Sequence, residues 1–335
     1  ELVKDKYVKN NIVGRIESLT RKGPSLFEAV ISYDTSTAGK EFTQLLNVVF
    51  GNTSIKPGIR VEKVTLPTAM LAGFGGPRFG VSGIKKLTGV YNRPLLCSAI
   101  KPMGTSAEGL ADMAYKFALG GIDLIKDDHG LANQAFSPFS RRVDLVSAAV
   151  RKANRQTGGK CLYAPNITAD SEAEIIRRAK SAKKASAGGL VISPGLAGFN
   201  SMRLIAADKS IRLPLLMHPA LLGSFTASKD SGFSHYFLYG QLARLCGADI
   251  SIFPNFGGRF SFSKQECKSI SEGCRVKMGG LKNILPGPGG GITVDRVAEL
   301  KKFYGNDVIF LIGGGLVAAG PDISDNVRSI KKALL

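Results

Sequence analysis

The stretch PLLCSAIKPMGTSAEGLADMAYKFALGGIDLIKDDH, residues 94–129, sets the strand-length apolar run Leu95–Lys101 ahead of a segment with helical spacing, Ala107–Leu119, and closes on a second strand, Ile122–Asp127. The same alternation continues to the end of the chain. Further strands are expected at Cys161–Ile167, Gly189–Ser193, Pro214–His218, Asp249–Pro254, Asn283–Pro286 and Val308–Ile312. Between and after them fall helices at Arg142–Arg155, Ser171–Ser186, Ser201–Ala207, Ser234–Cys246, Lys264–Arg275, Val294–Tyr304 and Asn326–Leu334. Eight such strand–helix pairs within about 240 residues predict an α/β fold, a closed C-terminal (βα)₈ (TIM) barrel. An open doubly wound sheet would carry a GxGxxG turn after its first strand, and Lys101-Pro102-Met103-Gly104 is not one.

Ahead of the barrel the pattern changes. Phe27–Tyr33 and the Leu45–Phe50 run, broken by Gly and Pro, predict a smaller N-terminal α+β module built on antiparallel strands. A Gly- and Pro-rich linker at Leu66–Gly80 follows, so residues 1–80 are assigned to module and linker and 81–335 to the barrel. Glu1 is not a Met, and the module is expected to be incomplete at its start.

With 44% hydrophobic and 21% charged residues, the chain can bury a large core and is not disordered. No apolar run approaches the roughly 20 residues of a membrane span, so a soluble chain with no membrane partner is expected. The cysteines, Cys97, Cys161, Cys246, Cys267 and Cys274, form neither CxxC nor zinc spacing. Their odd number suggests reduced thiols and a cytoplasmic location. The formal charge of +19 is spread over pairs such as Arg177–Arg178, Lys183–Lys184 and Lys301–Lys302 on amphipathic helices. With no basic tail and no aromatic-interleaved motif, nucleic acid is not expected as the main partner. A basic surface can also steer small anions.

A barrel of this kind works at the carboxyl ends of its strands. Those ends carry Lys101, then Lys126-Asp127-Asp128-His129, Asn166, Ser193, His218, Asn255 with Arg259, Gly289-Gly290-Gly291 and Gly313-Gly314-Gly315. The two glycine clusters fall after strands seven and eight, the usual phosphate site of the fold; the alternative is that they are tight turns only. Strand alternation puts Lys126 and Asp128 on one face with His129 opening the loop. An ammonium there would repel a cation, but a carbamate on it would supply oxygen to Mg²⁺; otherwise the group is a charge network bracing the mouth. Lys101 suits a base acting beside a carbonyl, a phosphate contact or a surface charge. His218 suits an acid, a base or a substrate ligand, whereas His235 suits a structural or lid contact. Arg259, after Gly257-Gly258, could clamp a phosphate.

These residues carry a resemblance. Leu45–Asn52, Gly76–Gly80, Ile100-Lys101-Pro102, Gly120–Asp128, Pro165–Thr168, Gly247-Ala248-Asp249, Gly289–Ile292 and Ile312–Gly315 resemble, in order, the RuBisCO large-subunit superfamily. The resemblance implies that Lys126 is carbamylated and holds Mg²⁺ with Asp128 and the position of His129. It implies that Lys101 moves the proton in enolisation and that Gly290, Gly291, Gly313 and Gly314 line a phosphate site. It also implies that Asn47 reaches the site of a neighbouring subunit, hence a homodimer or an assembly of dimers.

The chain departs from the carboxylases at informative places. His129 replaces a glutamate ligand, Met103 a second lysine, Pro219 an arginine that grips the second phosphate, and Ile252 a phosphate-binding histidine; Arg259 stands near the loop lysine. A form IV, RuBisCO-like enzyme acting on one phosphate without fixing carbon dioxide is therefore expected. His129 and the Phe253–Arg259 stretch resemble the branch acting on acid-sugar phosphates by decarboxylation or C–C cleavage. Isomerase or enolase action on a methylthio-sugar phosphate is the alternative, and a non-catalytic barrel binding anions or nucleic acid is the rival of another class.

Overall fold

The computed structural model describes residues 3–260, 262–318 and 320–334, so Glu1 lies outside it. The chain divides into two compact units, Glu1–Ile59 and Arg60–Leu335.

In the first unit, helix α1 (Lys6–Asn11) precedes an antiparallel hairpin of β1 (Arg15–Arg21) and β2 (Phe27–Ser32). Helix α2 (Phe42–Phe50) follows. This corrects the reading of Leu45–Phe50 as a strand: Phe42 and Leu45, three apart, are both buried. A short apolar run fits either period, and the side on which it can be buried decides between them.

In the second unit β3 (Arg60–Val61) is followed by α3 (Thr68–Phe74) and α4 (Gly80–Thr88). The expected linker is thus structured, because α3 buries Leu71 and Phe74. Then come β4 (Leu95–Ile100), α5 (Ala107–Leu119), β5 (Leu124–Asp127), α6 (Phe139–Thr157), β6 (Leu162–Ala164) and α7 (Glu172–Lys184). The chain continues through β7 (Leu190–Ile192), α8 (Pro194–Ala197), α9 (Phe199–Ala207), β8 (Leu215–Met217), β9 (Gly232–Phe233), a π-helical segment at Tyr236–Leu242 and α10 (Ala243–Leu245). It ends with β10 (Ile250–Pro254), α11 (Lys264–Arg275), β11 (Leu285–Gly289), α12 (Val297–Tyr304), β12 (Ile309–Leu311), α13 (Gly314–Ala318) and α14 (Ile323–Ala333).

Eight strands pair in parallel in the order β6-β5-β4-β12-β11-β10-β8-β7. The ring closes between β6 and β7 through the Asn166–Val191 bridge, where Val191 N–H donates to Pro165 O at 2.8 Å. Beside β3 and β9, which form a small parallel pair, this is the expected (βα)₈ barrel. Leu95, Cys97, Leu124, Ala164, Val191, Leu216, Ile250, Ile252, Leu285 and Ile309 fill its interior. With a period of two, that set puts Lys126 on the interior face of β5 and points Lys101, Asp128, Asn166 and His218 toward the mouth. The floor is tied by buried carboxylates. Asp249 accepts from Phe79 N, Gly80 N and Leu215 N, and Asp123 forms a two-pronged pair with Arg93.

One strand differs from expectation. Asn283–Pro286 is displaced to Leu285–Gly289, so Gly287 and Gly289 lie in β11, and only Gly290 and Gly291 turn out of it. Gly287 pairs with Ile252 of β10, and a Cβ there would sit 3.1 Å from Ser251 O, so close strand approach accounts for the glycine.

Among the described residues, no helix is long and apolar enough to cross a membrane. All five cysteines are buried and free; burial pushes the Cys97 thiol, beneath Lys126, up to about 12.

Candidate active site

Registry across β12, β4 and β5 sets the centre of the mouth. Cys97 pairs with Leu311 on one side, and Ala99 pairs with Lys126 on the other. Lys101, just past β4, leans toward the end of β12: a Cβ added at Gly313 would lie 3.2 Å from its Nζ. The Lys126 side chain is buried, and its Nζ donates to Asp127 O at 2.9 Å. Burial lowers its pKa, Lys101 adds repulsion, and Cys97, Asp128 and Asp127 act in the opposite sense.

Asp128 is half-buried, with its Oδ1 3.6 Å from His129 Nδ1 and its Oδ2 accepting from Gly130 N at 3.3 Å. Burial opposes its charge, but His129 and Lys126 outweigh that and hold the carboxyl well below the usual carboxylate range. The His129 and His218 rings stack with centroids 4.7 Å apart and planes 10° apart. His218 Nδ1 accepts from Ala220 N at 3.2 Å, which leaves the proton of the neutral ring on Nε2. Burial first, then Lys126 and His129, push this imidazole down to about 2. With Nδ1 engaged by Ala220 N, a neutral His218 ring presents its Nε2–H for donation.

The other expected residues divide into groups. Gly290 and Gly291 adopt φ of 95° and 63°, which favour glycine. A Cβ at Gly291 would lie 2.5 Å from Gly257 O, and one at Gly258 would lie 2.9 Å from Gly290 C, so the turns after β10 and β11 touch through backbone. Arg296 joins them by donating to Gly291 O and Phe256 O. Gly314 faces open space.

Asn166 is buried with its amide fully used. Its Nδ2 donates to His129 O at 3.1 Å and Leu131 O at 3.0 Å, and its Oδ1 accepts from Thr168. In this arrangement it positions the His129 loop and has no free group for a substrate. Asn255 is also fully buried; its Oδ1 accepts from Tyr304 OH at 2.7 Å, and its Nδ2 has no partner. Arg259 places its guanidinium 5.1 Å over the Phe260 ring. Asn47 lies on α2 of the first unit, donating to Gln44 Oε1 at 3.3 Å. His235 is buried, edge-on to Phe262 and 3.8 Å from Glu266, consistent with a structural or lid contact.

Sequence reasoning missed the support beneath this centre. Asp127 points outward from β5 and is buried with Arg142 Nε at 3.1 Å, Tyr163 OH at 2.7 Å and Asn166 N at 3.0 Å. Arg142 also donates to Ser137 O and Ala132 O, pinning the loop that carries His129. The available signal was an arginine on the otherwise apolar face of α6, whose neighbours Phe139, Val143 and Val146 are buried. Met103 was noted only as a replaced lysine, yet it lies over the same loop: a Cβ at Gly130 would be 3.4 Å from both Met103 Cε and Asp128 Oδ2.

Among the described residues, no three His, Cys, Asp or Glu side chains come together as a metal site. Asp128 and His129 would offer a cation two ligands, and a carbamate on Lys126 would add the oxygen donor that an ammonium cannot. A buried amine whose charge is disfavoured is the form that can react with carbon dioxide, and the donor set then suits a hard ion.

Geometry and comparison agree on the class. Residues 80–258 match the family model for the ribulose bisphosphate carboxylase large chain, catalytic domain. The chain belongs to that family, on its RuBisCO-like branch. It is 40% identical over 324 residues to ribulose bisphosphate carboxylase-like protein 1 of Rhodopseudomonas palustris, covering 97% of this chain and 86% of the relative. It is 38% identical over 328 residues to 5-methylthioribulose-1-phosphate isomerase of Rhodospirillum rubrum, covering 98% and 86%. The crystal structure of a Rubisco-like protein from Rhodopseudomonas palustris superposes with a TM-score of 0.89 at 39% identity, over 98% of this chain and 88% of that one.

Proposed function

We propose that this chain is a Mg²⁺-dependent RuBisCO-like lyase or isomerase that performs enolisation-type chemistry on a substrate with one phosphate and does not fix carbon dioxide. The observation that carries the reading is the position of Lys101, whose Nζ reaches Gly313 while its charge is felt at Lys126. A phosphate held by Gly290, Gly291, Gly313 and Gly314 and a carbonyl lying over Lys126 are then both within one molecule's reach of Lys101.

Carbamylated Lys126, Asp128 and His129 would hold Mg²⁺, which when bound polarises a carbonyl as a Lewis acid. Lys101 moves the proton on the carbon beside that carbonyl. His218, neutral with its Nε2–H available, donates a hydrogen bond to a substrate oxygen. Asn166, Asp127 and Arg142 hold the His129 loop so that its ligand geometry is set before substrate arrives. Arg259 and Asn255 belong to the turn after β10, with Arg259 free to swing from Phe260 to a phosphate. The substrate is a phosphorylated oxo-acid sugar or ketose, taken to decarboxylation, C–C cleavage or isomerisation.

A methylthio-sugar phosphate is the second reading. The Rhodospirillum rubrum isomerase favours it, as does Met103, which is 58% exposed and presents a thioether at the mouth next to Gly130.

In the assembled protein, Asn47 completes a neighbouring subunit's site in a homodimer or larger assembly. Exposed Ile16, Leu19, Phe27 and Ile31 on the β1–β2 hairpin support an assembly that covers them. The buried free thiols fit a reducing, cytoplasmic compartment.

The test is a screen of phosphorylated ketoses and oxo-acid sugars with Mg²⁺ and bicarbonate, run on the native chain and on Lys126→Ala. Loss of both turnover and uptake of isotope-labelled bicarbonate is expected in the variant. Turnover that persists in Lys126→Ala without added metal would end the carbamate reading.

A further inference from the structure

The charge of +19 is left unexplained by a one-phosphate substrate, and the fold shows where it goes. Parallel strands each followed by a helix direct the C-termini of those helices to the floor of the barrel, away from the mouth, and α4 ends just before the first barrel strand enters there. Last turns are basic on α4 (Lys85, Lys86), α6 (Arg155), α7 (Lys183, Lys184), α12 (Lys301, Lys302) and α14 (Lys331, Lys332). First turns instead carry acids: Glu108 on α5, Glu172 and Glu174 on α7, Glu266 on α11 and Asp325 on α14. Helix dipoles favour this polarity, so part of it serves helix stability. Steering of an anionic substrate would place the cations at the opposite end.

One sector of the floor exceeds what helix ends require. Arg155, Lys160, Lys180, Lys184, Lys209 and Arg212 are all exposed, and among the described residues none of them forms a close ion pair. No Asp or Glu occurs in residues 145–169 or 175–207, and Asp208 alone interrupts the sector. The sector is continuous. Arg151 in the C-terminal half of α6 donates to Ala185 O at 2.6 Å, Lys183 donates to Ser210 O at 2.6 Å, and the Lys160 side chain passes Gly89 beyond α4, where a Cβ would lie 3.5 Å from its Cδ.

We infer that this arc on the barrel floor binds the phosphate backbone of a nucleic acid, without sequence preference and independently of the active site. Lysines and arginines on rigid helix ends neutralise a line of phosphates. Residues 145–190 and 205–215 contribute no large exposed apolar side chain, and Leu87 and Tyr91 are exposed only at the edge of the arc beside Gly89, so its face is charged rather than apolar, which suits a phosphate backbone better than insertion into a lipid surface. Residues scattered along the sequence are brought together only because successive helices run the same way round the barrel.

The experiment is fluorescence anisotropy of the full chain with a labelled random-sequence duplex, over a salt titration. Native protein should bind with a dissociation constant on the order of micromolar at low salt, weakening steeply as salt rises. In Lys160→Glu/Lys184→Glu/Lys209→Glu, binding should fall at least about tenfold, and the slope of log K against log salt should become shallower by about three. A matched variant, Lys56→Glu/Lys63→Glu/Lys229→Glu, changes the net charge equally and should keep the native slope. No duplex binding by the native chain at about 50 mM salt would overturn the inference. So would equal loss in the two triple variants, or binding confined to phosphatidylserine vesicles.

Discussion

Replacing Asn166 by Ala tests whether the His129 loop is held from below. The side chain donates to His129 O and Leu131 O and accepts from Thr168 N and Thr168 Oγ1, all in a buried setting. Removing it strips two loop carbonyls of their donor and Thr168 of its acceptor, and each buried group left unpaired costs about 1–3 kcal/mol. The loop can open to water and recover part of this, so a net loss of about 2–4 kcal/mol in urea unfolding is expected. Metal affinity should weaken by about 10–100-fold, the usual consequence of losing an outer-shell support. Asn166→Asp should be worse than Ala, because it sets a carboxylate oxygen about 3 Å from two carbonyl oxygens in place of an amide N–H. The measurements are urea denaturation and Mg²⁺ half-saturation of turnover, on the native protein and both variants. If Asn166→Ala unfolds within about 0.5 kcal/mol of native and saturates at the same Mg²⁺, the amide does not hold the loop.

Arg142→Met should cost about 3–5 kcal/mol in equilibrium unfolding, since it leaves the Asp127 carboxylate buried without its guanidinium; Asp127→Asn on top of it should recover part of that loss. Gly258→Ala should raise KM for the phosphorylated substrate by about tenfold or more with little change in melting temperature, because its Cβ would push on Gly290 at 2.9 Å; an unchanged KM would separate that contact from phosphate binding. Glu174 is held down to about 2 from 4.5, first by its hydrogen bonds to Arg177 and then, against the effect of burial, by Arg178. A lowered folded pKa means stability that is present above about 4.5 and lost as pH falls through about 2. Glu174→Gln should therefore be less stable than native at pH 7, and the two should converge in thermal melts across that window.

The alternation of strand-length and helix-length apolar patterns was enough to count the eight barrel strands and to place all but the displaced β11, because burial on both faces of a strand leaves a short apolar run whatever packs on it, whereas the glycines and prolines of β11 do not show as one. The same local pattern could not tell that Leu45–Phe50 is helical, nor that Thr68–Phe74 folds within an apparent linker, since each choice depends on which partner covers the apolar side. Strand ends exposed Lys101, Lys126, Asp128 and His218 as one group, because a period of two fixes the face of each residue once the strand is placed. What tertiary structure alone decided was the work of the less conspicuous residues. Asn166 spends its whole amide on the His129 loop and Thr168, and His218 turns Nδ1 to Ala220 N, partners that no local pattern specifies. Asp127 became the keel of the site only through Arg142, fifteen positions away on the next helix, and Tyr163 on the next strand. The basic floor belongs to the same class: linear spacing disperses its lysines, and only the common direction of the helices round a closed barrel gathers them on one face.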